Sequence, residues 1–302
     1  MRLAMIGLGR MGGNMARRLC RGGIEVVGYN RSRPVVDQLA AEEGLIPAGS
    51  LAEAVAMLSA PRVVWIMLPS GTVTEEHLDS LMDLLEPGDV VVDGGNSNYH
   101  DTQRRAALVA AHGLRYVDAG TSGGVWGLDN GYCMMVGGES EAVALLRPVL
   151  EVLAPARDRG WAHVGPVGAG HFTKMVHNGV EYGMMQAIAE GFSLLQGKEE
   201  LHIDLAQVAE IWRHGSVVRS WLLDLTASVL AEDQALGSIA PFVADSGEGR
   251  WTAVESIDQG TPAPVITLAL AMRFASQGRS DYANRLLAMM RNAFGGHAVG
   301  TQ

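Results

Sequence analysis

Five polar side chains in residues 170–183 have a spacing that suits proton chemistry on one face of a helix. They lie at i, i+3, i+4, i+7 and i+8, which a period of 3.6 residues brings onto one stripe: Lys174, His177, Asn178, Glu181 and Tyr182. The residues between them are apolar or small. The sequence therefore predicts a helix that is buried on most sides and carries a single polar stripe, the alternative being a structural polar seam between helices.

The types of these residues suit acid–base catalysis. Burial lowers the pKa of a lysine and raises that of a glutamate, because each loses the solvation of its charged form. A reaction that moves protons in two directions near neutral pH needs both a base and an acid. We therefore expect Lys174 to act as the base and Glu181 as the acid.

A glycine-rich turn near the N-terminus predicts a dinucleotide site. Gly7, Gly9 and Gly12 form a GxGxxG pattern that follows a predicted strand and opens a predicted helix. In that setting the glycines allow a tight turn, close approach of a pyrophosphate and close helix–strand packing, and the helix N-terminus favours phosphate. We expect the cofactor to contact the whole stretch Gly7, Leu8, Gly9, Arg10, Met11 and Gly12. A plain tight turn is the alternative.

The end of the second predicted strand bears on which dinucleotide binds. An NAD site usually has an acid here, on the ribose hydroxyls. This chain has Asn30, Arg31, Ser32 and Arg33 instead. We expect Arg31 to stack on the adenine and pair with a 2′-phosphate, helped by Asn30 and Ser32, which favours NADP and leaves NAD possible. The alternative is that the arginines only form a solvated helix start.

Three loops follow other predicted strands, at the sheet edge where open α/β sheets bind ligands. The loop 67–73 is expected to touch the cofactor through Leu68, Pro69 and Val73. The loop 93–102 offers Asn96 to a nicotinamide or a sugar hydroxyl. In the loop 118–127, a hydroxyl and two unhindered backbone N–H groups suit a carboxylate: Ser122, Gly123 and Gly124. Each loop taken alone could be an ordinary turn.

These loops and the helix require a framework, and the pattern of the chain predicts one. Short apolar runs predict strands at 2–7, 24–30, 62–68, 89–95, 114–120 and 132–138. Helical patterns between them cover 11–22, 33–43, 50–58, 74–85, 101–112 and 140–153. This alternation predicts an α/β fold, a Rossmann-like doubly wound parallel sheet.

Beyond residue 165 the strand signals end. Helices are predicted at 170–197, 204–231, 248–259 and 263–293, with a loop in 231–251. The expected organisation is a dinucleotide-binding domain at 1–165 and an all-helical substrate and dimerisation domain at 166–302, with the boundary near 160–166.

Composition excludes several classes of function. The net charge of −10 argues against nucleic acid as a partner. The chain has no apolar run long enough to cross a membrane, and its N-terminus does not resemble a signal peptide. Its two cysteines and nine histidines have no metal-site spacing, so no metal is expected. A reduced, cytoplasmic protein is the simplest interpretation.

Several motifs together resemble those of 6-phosphogluconate dehydrogenase, the decarboxylating enzyme of the pentose phosphate pathway and of gluconate utilisation. The motifs are GLGRMGGN, YNRS, DGGNSNYHDT, TSGGVWG and GAGHFTKMVHNGVEYG. The resemblance runs from residue 1 to the C-terminus. At 302 residues the chain is similar to the short bacterial form, within the wider β-hydroxyacid dehydrogenase superfamily.

The resemblance implies a reaction without a metal. Hydride leaves C3 of 6-phosphogluconate for NAD(P) while Lys174 takes the hydroxyl proton. The 3-keto acid then loses carbon dioxide, and Glu181 protonates C1 of the enediol to give ribulose 5-phosphate. The substrate's carboxylate and hydroxyls would be bound by Asn96, Ser122, Gly123, Gly124, His177 and Asn178.

The resemblance also assigns the phosphate end and the assembly. Tyr182 and Arg273 would hold the phosphate. Arg291 and His297, in a tail similar to the family's, would enter a neighbouring subunit, which implies a homodimer or a tetramer built from dimers. The loop 245–252 departs from the long form, which carries a lysine and a threonine before the Trp-Thr dipeptide. Here neither residue precedes Trp251, and the loop contains Glu248.

Two alternatives remain open at this point. One is another β-hydroxyacid dehydrogenase, acting on a short, unphosphorylated 3-hydroxy acid such as 3-hydroxyisobutyrate. The other is a non-catalytic NADP-binding protein. Neither needs Lys174 and Glu181 together with the tail that carries Arg291.

Overall fold

A computed structural model describes residues 1–295 and 298–300 of the chain. The contacts divide the chain into a first unit, Met1–Met175, and a second unit that starts at Val176. The assignment of cofactor binding to 1–165 and of substrate binding and dimerisation to 166–302 stays a prediction.

The first unit is built on an eight-stranded sheet with the order β3-β2-β1-β4-β5-β6-β7-β8. The strands are β1 (Arg2–Ile6), β2 (Glu25–Tyr29), β3 (Ile46–Pro47), β4 (Val63–Ile66), β5 (Val90–Asp93), β6 (Arg115–Ser122), β7 (Cys133–Gly138) and β8 (Trp161–Gly165). All neighbouring strands are parallel except β6 and β7. The predicted Rossmann-like α/β class is confirmed.

Helices cover both faces of this sheet. They are α1 (Arg10–Arg21), α2 (Arg33–Glu43), α3 (Leu51–Ala56), α4 (Thr72–Met82), α5 (Tyr99–Ala111), α6 (Gly127–Asn130) and α7 (Ser140–Leu153), with a 3-10 turn at Gly124–Trp126. Successive residues of β1 belong to different cores: Leu3 and Met5 pack on one face, Ala4 and Ile6 on the other. Burial on both faces explains why the central strands have continuous apolar sequences.

The pairing of β6 with β7 is antiparallel, a local departure within the predicted parallel sheet. Ser122, the last residue of β6, pairs with Cys133, the first of β7. Only residues 123–132 connect them, and a parallel connection needs a crossover of a dozen or more residues. The short connection therefore turns the chain back on itself at the edge where the 118–127 loop lies.

The second unit is helical. After α8 (Ala169–Gln196), which begins in the first unit, come α9 (Leu205–Arg213), α10 (Trp221–Glu232), α11 (Glu248–Asp258), α12 (Pro264–Ser276) and α13 (Asp281–Gly295), with a 3-10 turn at Glu199–Leu201. The helices predicted at 204–231 and 263–293 are each two helices. Gly215 and Gly278 have φ values of 78° and 74°, a conformation that ends a right-handed helix.

Helix α8 is less buried than its sequence predicts. The side chains of Val180, Met184 and Met185 are 48%, 41% and 40% exposed. An apolar side chain is buried only where another element packs against it. Between 40% and 48% of the surface of these three side chains remains exposed within the chain. Among the described residues, no helix combines the length and the apolar character needed to cross a membrane.

Candidate active site

The glycine-rich turn between β1 and α1 has the shape that a pyrophosphate requires. Gly7 has a φ of 93°, and a Cβ there would lie 2.5 Å from the carbonyl oxygen of Met67. A Cβ at Gly12 would lie 2.0 Å from the Gly7 carbonyl oxygen, so both positions exclude side chains. Around Gly9, no atom of the described residues lies within 4 Å of the Cβ position. The turn is thus closed on the protein side and open on the ligand side.

The start of α1 adds an electrostatic preference for phosphate. Gly9 is the N-cap residue and supplies no side-chain cap, and the first turn contains no acid. The N–H groups at the helix start therefore face outward with the positive end of the helix dipole. Arg10 is exposed, Met11 is half-buried, and the side chain of Leu8 is buried in the core, so only the backbone of Leu8 can face a ligand.

Asn30 ties the end of β2 to the glycine-rich turn. Its Oδ1 accepts a hydrogen bond of 3.1 Å from the Leu8 N–H, and its Nδ2 donates to the Ser32 carbonyl. Arg31 and Ser32 are exposed. Arg33 pairs with Asp37 at 2.8 Å, so the two arginines differ. Within the described part of the chain, no side chain forms a hydrogen bond or an ion pair with the Arg31 guanidinium that would compete with a ligand.

The loop between β4 and α4 lies against the same turn. The Leu68 side chain comes to 2.9 Å of the Cβ position of Gly7. The Pro69 carbonyl accepts a hydrogen bond of 2.9 Å from Thr74 Oγ1, which closes the loop, and Val73 is exposed at the start of α4. The loop predicted to touch the cofactor is therefore held beside the glycines.

A buried ionic network supports the loop that carries Asn96. Oδ2 of Asp93 accepts hydrogen bonds from Ser97 Oγ at 2.9 Å, from Tyr116 at 3.0 Å and from Arg105 at 3.3 Å. Desolvation and the neighbouring Asp93 carboxylate raise the pKa of Tyr116 well above its ordinary value. Asn96 itself is exposed at the surface of the loop. The network thus holds the backbone on both sides of Asn96.

The loop after β6 is shaped by two glycines. Ser122 ends the strand, and Gly123 and Gly124 follow with φ values of 131° and 53°. Beneath them the Tyr132 ring lies 3.3 Å from the Cβ position of Gly123 and 2.0 Å from that of Gly127. Burial raises the pKa of Tyr132 to about 12. The predicted carboxylate-binding loop is therefore a glycine backbone resting on a buried aromatic ring.

The start of α8 is anchored by residues that the sequence analysis did not identify. Both carboxylate oxygens of Asp118 accept backbone hydrogen bonds, from Gly168 N–H at 2.7 Å and from His171 N–H at 2.8 Å. Nδ1 of His171 lies 2.7 Å from Thr102 Oγ1 on α5. All three polar side chains are buried. The motif GAGHFTK contains the histidine, but its partners lie 53 and 69 residues away, so spacing alone could not find them.

Lys174 follows this anchor by one turn and is half-buried. A Cβ on Gly120 of β6 would lie 2.5 Å from the Lys174 Cβ and 2.7 Å from the Gly170 carbonyl oxygen. Strand and helix therefore meet at a glycine, two residues before Ser122. The structure thus brings Lys174 to the same strand end as the predicted carboxylate-binding loop.

Three further members of the polar stripe lie in the second unit, within one turn of each other. His177 Nδ1 is 3.1 Å from Asn178 Oδ1 and 3.8 Å from a carboxylate oxygen of Glu181. The side chains of His177 and Glu181 are 35% and 39% exposed. This exposure corrects the expectation of deep burial, because α8 leaves this part of its stripe open. The side chains of His177 and Glu181 are therefore accessible to a ligand.

Tyr182 completes the stripe and is buried among second-unit residues. The Arg273 guanidinium lies over its ring at 3.4 Å from the centroid, and Arg273 also donates to the Ala244 carbonyl at 2.7 Å. The Tyr182 hydroxyl is 3.0 Å from Ser246 Oγ, which donates to Glu248 at 2.5 Å. The predicted pair of Tyr182 and Arg273 is thus in direct contact.

Arg250, in the loop 245–252, is paired with an acid of the same loop. Two guanidinium nitrogens of Arg250 donate to Asp245, at 3.0 and 2.5 Å. Desolvation acts to raise the pKa of Asp245, but the hydrogen bonds from Arg250 and from the Gly247 N–H outweigh it and lower that pKa. Arg250 is therefore engaged by an acid rather than free to replace the missing lysine.

The remaining predicted residues are in the C-terminal tail. Arg291 is exposed on α13. His297 lies outside the described residues.

No group of three or more His, Cys, Asp or Glu side chains within the described ranges is arranged to hold a metal ion.

Comparison with known proteins agrees with the resemblance seen in the motifs. Residues 2–165 match the family described as the NAD binding domain of 6-phosphogluconate dehydrogenase, and residues 170–299 match its C-terminal domain. The chain is 42% identical to an NAD(+)-dependent, decarboxylating 6-phosphogluconate dehydrogenase of Haloferax volcanii, over 99% of this chain and 98% of that one. It is 41% identical to the Bacillus subtilis protein YqeC, over 99% of both chains.

A solved structure shares the fold over the full chain. The 6-phosphogluconate dehydrogenase of Plasmodium falciparum, studied in its apo form and with NADP+ or 6-phosphogluconate, superposes with a TM-score of 0.85 at 28% identity. The match covers 100% of this chain and 66% of that one. Longer bacterial relatives are also only partly covered, since the chain spans 59–62% of their length.

Proposed function

The chain belongs to the 6-phosphogluconate dehydrogenase family, and we propose that it oxidatively decarboxylates 6-phosphogluconate to ribulose 5-phosphate and carbon dioxide. The observation that carries the proposal is the stripe on α8, where Lys174 and Glu181 stand two turns apart on one helical face. A base and an acid on one helix suit a reaction that removes one proton and returns another.

Lys174 is the proposed base. It takes the proton of the C3 hydroxyl. A nicotinamide dinucleotide held by the turn at Gly7, Gly9 and Gly12 would supply the acceptor for the C3 hydride. Packing against Gly120 limits the movement of the Lys174 backbone and Cβ, so the side chain starts from a fixed point beside the strand end. The protonated amine then polarises the new C3 ketone.

The ketone supports the second step. When the bond between C1 and C2 breaks, C1 leaves as carbon dioxide. The electron pair of that bond forms a C2–C3 double bond, which gives an enediolate with its charge on the C3 oxygen. The protonated Lys174 stabilises the negative charge that develops on the C3 oxygen. Glu181 then gives a proton to the former C2, which becomes C1 of ribulose 5-phosphate. A partly exposed carboxyl group such as Glu181 can recover this proton from solvent.

The other stripe and loop residues are assigned to binding. Ser122, Gly123 and Gly124 would receive the substrate carboxylate through a hydroxyl and unhindered backbone N–H groups. Asn96, His177 and Asn178 would bind the hydroxyls, and Tyr182 with Arg273 the phosphate. The contact between Arg273 and the Tyr182 ring supports the last pairing.

Binding of a nicotinamide dinucleotide is common to the family, and the open space at Gly9 fits a pyrophosphate. Between the two dinucleotides, we propose that the protein prefers NADP over NAD. Arg31 is exposed next to Asn30, which is tied to the glycine-rich turn, whereas an acid that would bind ribose hydroxyls is absent from this turn. A guanidinium in this place matches a 2′-phosphate better than a free hydroxyl. The rest of the contact set would be Leu8, Arg10, Met11, Ser32, Leu68, Pro69 and Val73.

We further propose that the enzyme acts as a homodimer or as a tetramer of dimers. In the second unit, a groove of about 670 Å³ is lined mainly by apolar side chains of α8 and α10, among them Phe192, Leu225 and Val229. Large exposed apolar surfaces on one chain commonly mark subunit interfaces. Arg291 and His297 would then reach the active site of the neighbouring subunit. The place of the reaction would be the pentose phosphate pathway or gluconate utilisation in the cytoplasm.

An initial-rate assay tests the proposal. Purified protein is supplied with 6-phosphogluconate and either NADP or NAD, and reduced nicotinamide and carbon dioxide are measured together. Equal amounts of both products support oxidative decarboxylation. Reduced nicotinamide without carbon dioxide, or activity only on unphosphorylated 3-hydroxy acids, would instead favour another β-hydroxyacid dehydrogenase.

A further inference from the structure

A short chain of hydrogen bonds in the second unit leads away from the residue assigned to the phosphate. The Tyr182 hydroxyl lies 3.0 Å from Ser246 Oγ, and Ser246 Oγ donates to Glu248 Oε2 at 2.5 Å. Tyr182 and Glu248 are buried, whereas Ser246 is at the surface of the loop. Three polar groups from α8, the loop and α11 therefore form one connected path.

The single hydrogen on the Ser246 hydroxyl determines which group donates each hydrogen bond. A serine hydroxyl has one hydrogen, and that hydrogen is given to Glu248. The bond between Tyr182 and Ser246 must then be donated by Tyr182, because Ser246 has nothing left to donate. The phenolic oxygen keeps only lone pairs for any other partner.

A phosphate group is a poor partner for such an oxygen. A phosphate dianion accepts hydrogen bonds and donates none, so it needs donors on the protein side. Arg273 supplies N–H donors next to the same ring. Tyr182 can add a donor only by giving up its bond to Ser246.

We propose that Glu248 is a specificity-determining residue, which limits the binding of the substrate's phosphate by turning the Tyr182 hydroxyl towards Ser246. The inference rests on the proposed function, since it assumes that a phosphorylated substrate binds at Tyr182 and Arg273. Phosphate recognition then depends on the guanidinium of Arg273, and Tyr182 serves mainly as the ring on which Arg273 rests.

Two single variants release the hydroxyl in different ways. Ser246→Ala removes the acceptor while it leaves the Glu248 charge in place. Glu248→Gln keeps the shape of the side chain but provides an amide that can donate to Ser246, which lets the whole path reverse. In both variants the KM for 6-phosphogluconate should fall by about three- to tenfold, the effect of one gained hydrogen bond to a charged group. We expect kcat to change less than KM.

Tyrosine variants separate this path from a simple effect of charge. Tyr182→Phe keeps the ring beneath Arg273 and removes only the hydroxyl, so it serves as the reference background. Added to Ser246→Ala or Glu248→Gln, the same change should abolish the gain. A general charge effect of Glu248 would persist in the phenylalanine background and would be absent from Ser246→Ala.

The controls use a second acid and a second substrate. Glu255→Gln removes a charge from α11 two turns further on and should leave KM unchanged. Turnover of unphosphorylated gluconate should not improve in Ser246→Ala or Glu248→Gln. A higher KM in Ser246→Ala, an unchanged KM in both variants, or a gain that persists in the Tyr182→Phe background would overturn the inference. Absence of 6-phosphogluconate turnover in the unmodified protein would overturn the proposed function itself and the inference with it.

Discussion

Gly120 and Lys174 are in contact where β6 meets α8, and no side chain fits between them. The Cβ of Lys174 lies 2.5 Å from the position that a Cβ on Gly120 would occupy, closer than two such atoms can approach. The Gly170 carbonyl oxygen lies 2.7 Å from the same point. The absence of one methyl group thus determines how near the proposed base comes to the end of β6.

Replacement of Gly120 by alanine should therefore impair catalysis more than cofactor binding. The new methyl would push Lys174 away from the strand, and a displacement of about 1 Å at a catalytic group can cost on the order of a hundredfold in rate. We expect kcat with 6-phosphogluconate to fall by about ten- to a hundredfold, measured by initial rates, while the Kd for the dinucleotide stays within about twofold.

Gly191→Ala provides the matched control. It is also a glycine on α8, but apart from its chain neighbours and the backbone of its own helix, no atom of the described residues lies within 4 Å of its Cβ position. Alanine there should leave kcat unchanged and stabilise the helix by about 0.5–1 kcal/mol. Equal loss of activity in both variants would show that the contact between Gly120 and Lys174 does not matter for catalysis.

Lys174→Ala should abolish oxidation because no other base stands at that position of the stripe. The dinucleotide site is formed by the turn around Gly9 and the loop at Leu68, so cofactor binding should survive. Calorimetric titration with NADP and a stopped-time assay for reduced nicotinamide would test both expectations on one preparation. Turnover within about tenfold of the unmodified enzyme would contradict the proposed role of Lys174.

The spacing of the polar stripe could be predicted from the sequence because a helix repeats every 3.6 residues. What fixes the helix could not. Asp118 and Thr102 hold His171 from strands and helices that lie 53 and 69 residues away, and no local pattern records such contacts. The residues that carry the chemistry are thus visible in the sequence, whereas those that position them depend on the tertiary fold.

The sheet likewise contains strands that the sequence predicts and strands that it does not. The valine runs of β4 and β5 predict buried strands because both faces of each are covered. The sequence does not predict the strand β8, because it has no continuous apolar run. This strand lies at the edge of the sheet, and its three central residues, 162–164, are exposed. The two-residue strand β3 is too short to give a periodic signal.

The two arginines after β2 should differ in their effect on cofactor choice. Arg31 is proposed to pair with a 2′-phosphate, whereas Arg33 already pairs with Asp37. Arg31→Ala should lower kcat/KM for NADP by about ten- to a hundredfold, the effect of losing charge-assisted hydrogen bonds, and change that for NAD by less than about threefold. Arg33→Ala should change neither by more than about twofold. Parallel initial-rate series with both cofactors would decide, and equal losses with NADP and NAD in Arg31→Ala would contradict a 2′-phosphate contact.

Replacement of two buried tyrosines, Tyr116 and Tyr132, should affect the free energy of unfolding differently. Tyr116 donates to Asp93, so Tyr116→Phe should destabilise the protein by about 1–3 kcal/mol at pH 7. The Tyr132 hydroxyl has no hydrogen-bond partner within the described part of the chain, so Tyr132→Phe should be neutral or slightly stabilising. Urea unfolding at pH 7, followed by tryptophan fluorescence, would compare the two variants.

The comparison at alkaline pH follows from the raised pKa of Tyr132. Burial raises the pKa of Tyr132 in the folded state to about 12, while the unfolded chain releases this proton near the ordinary tyrosine pKa of 10.0. Between these values the unfolded state binds fewer protons, so stability falls as pH rises. Tyr132→Phe removes this loss, and its stability relative to the unmodified protein should increase from pH 10 to pH 12. A constant difference over that range would show that Tyr132 titrates alike in the folded and unfolded states.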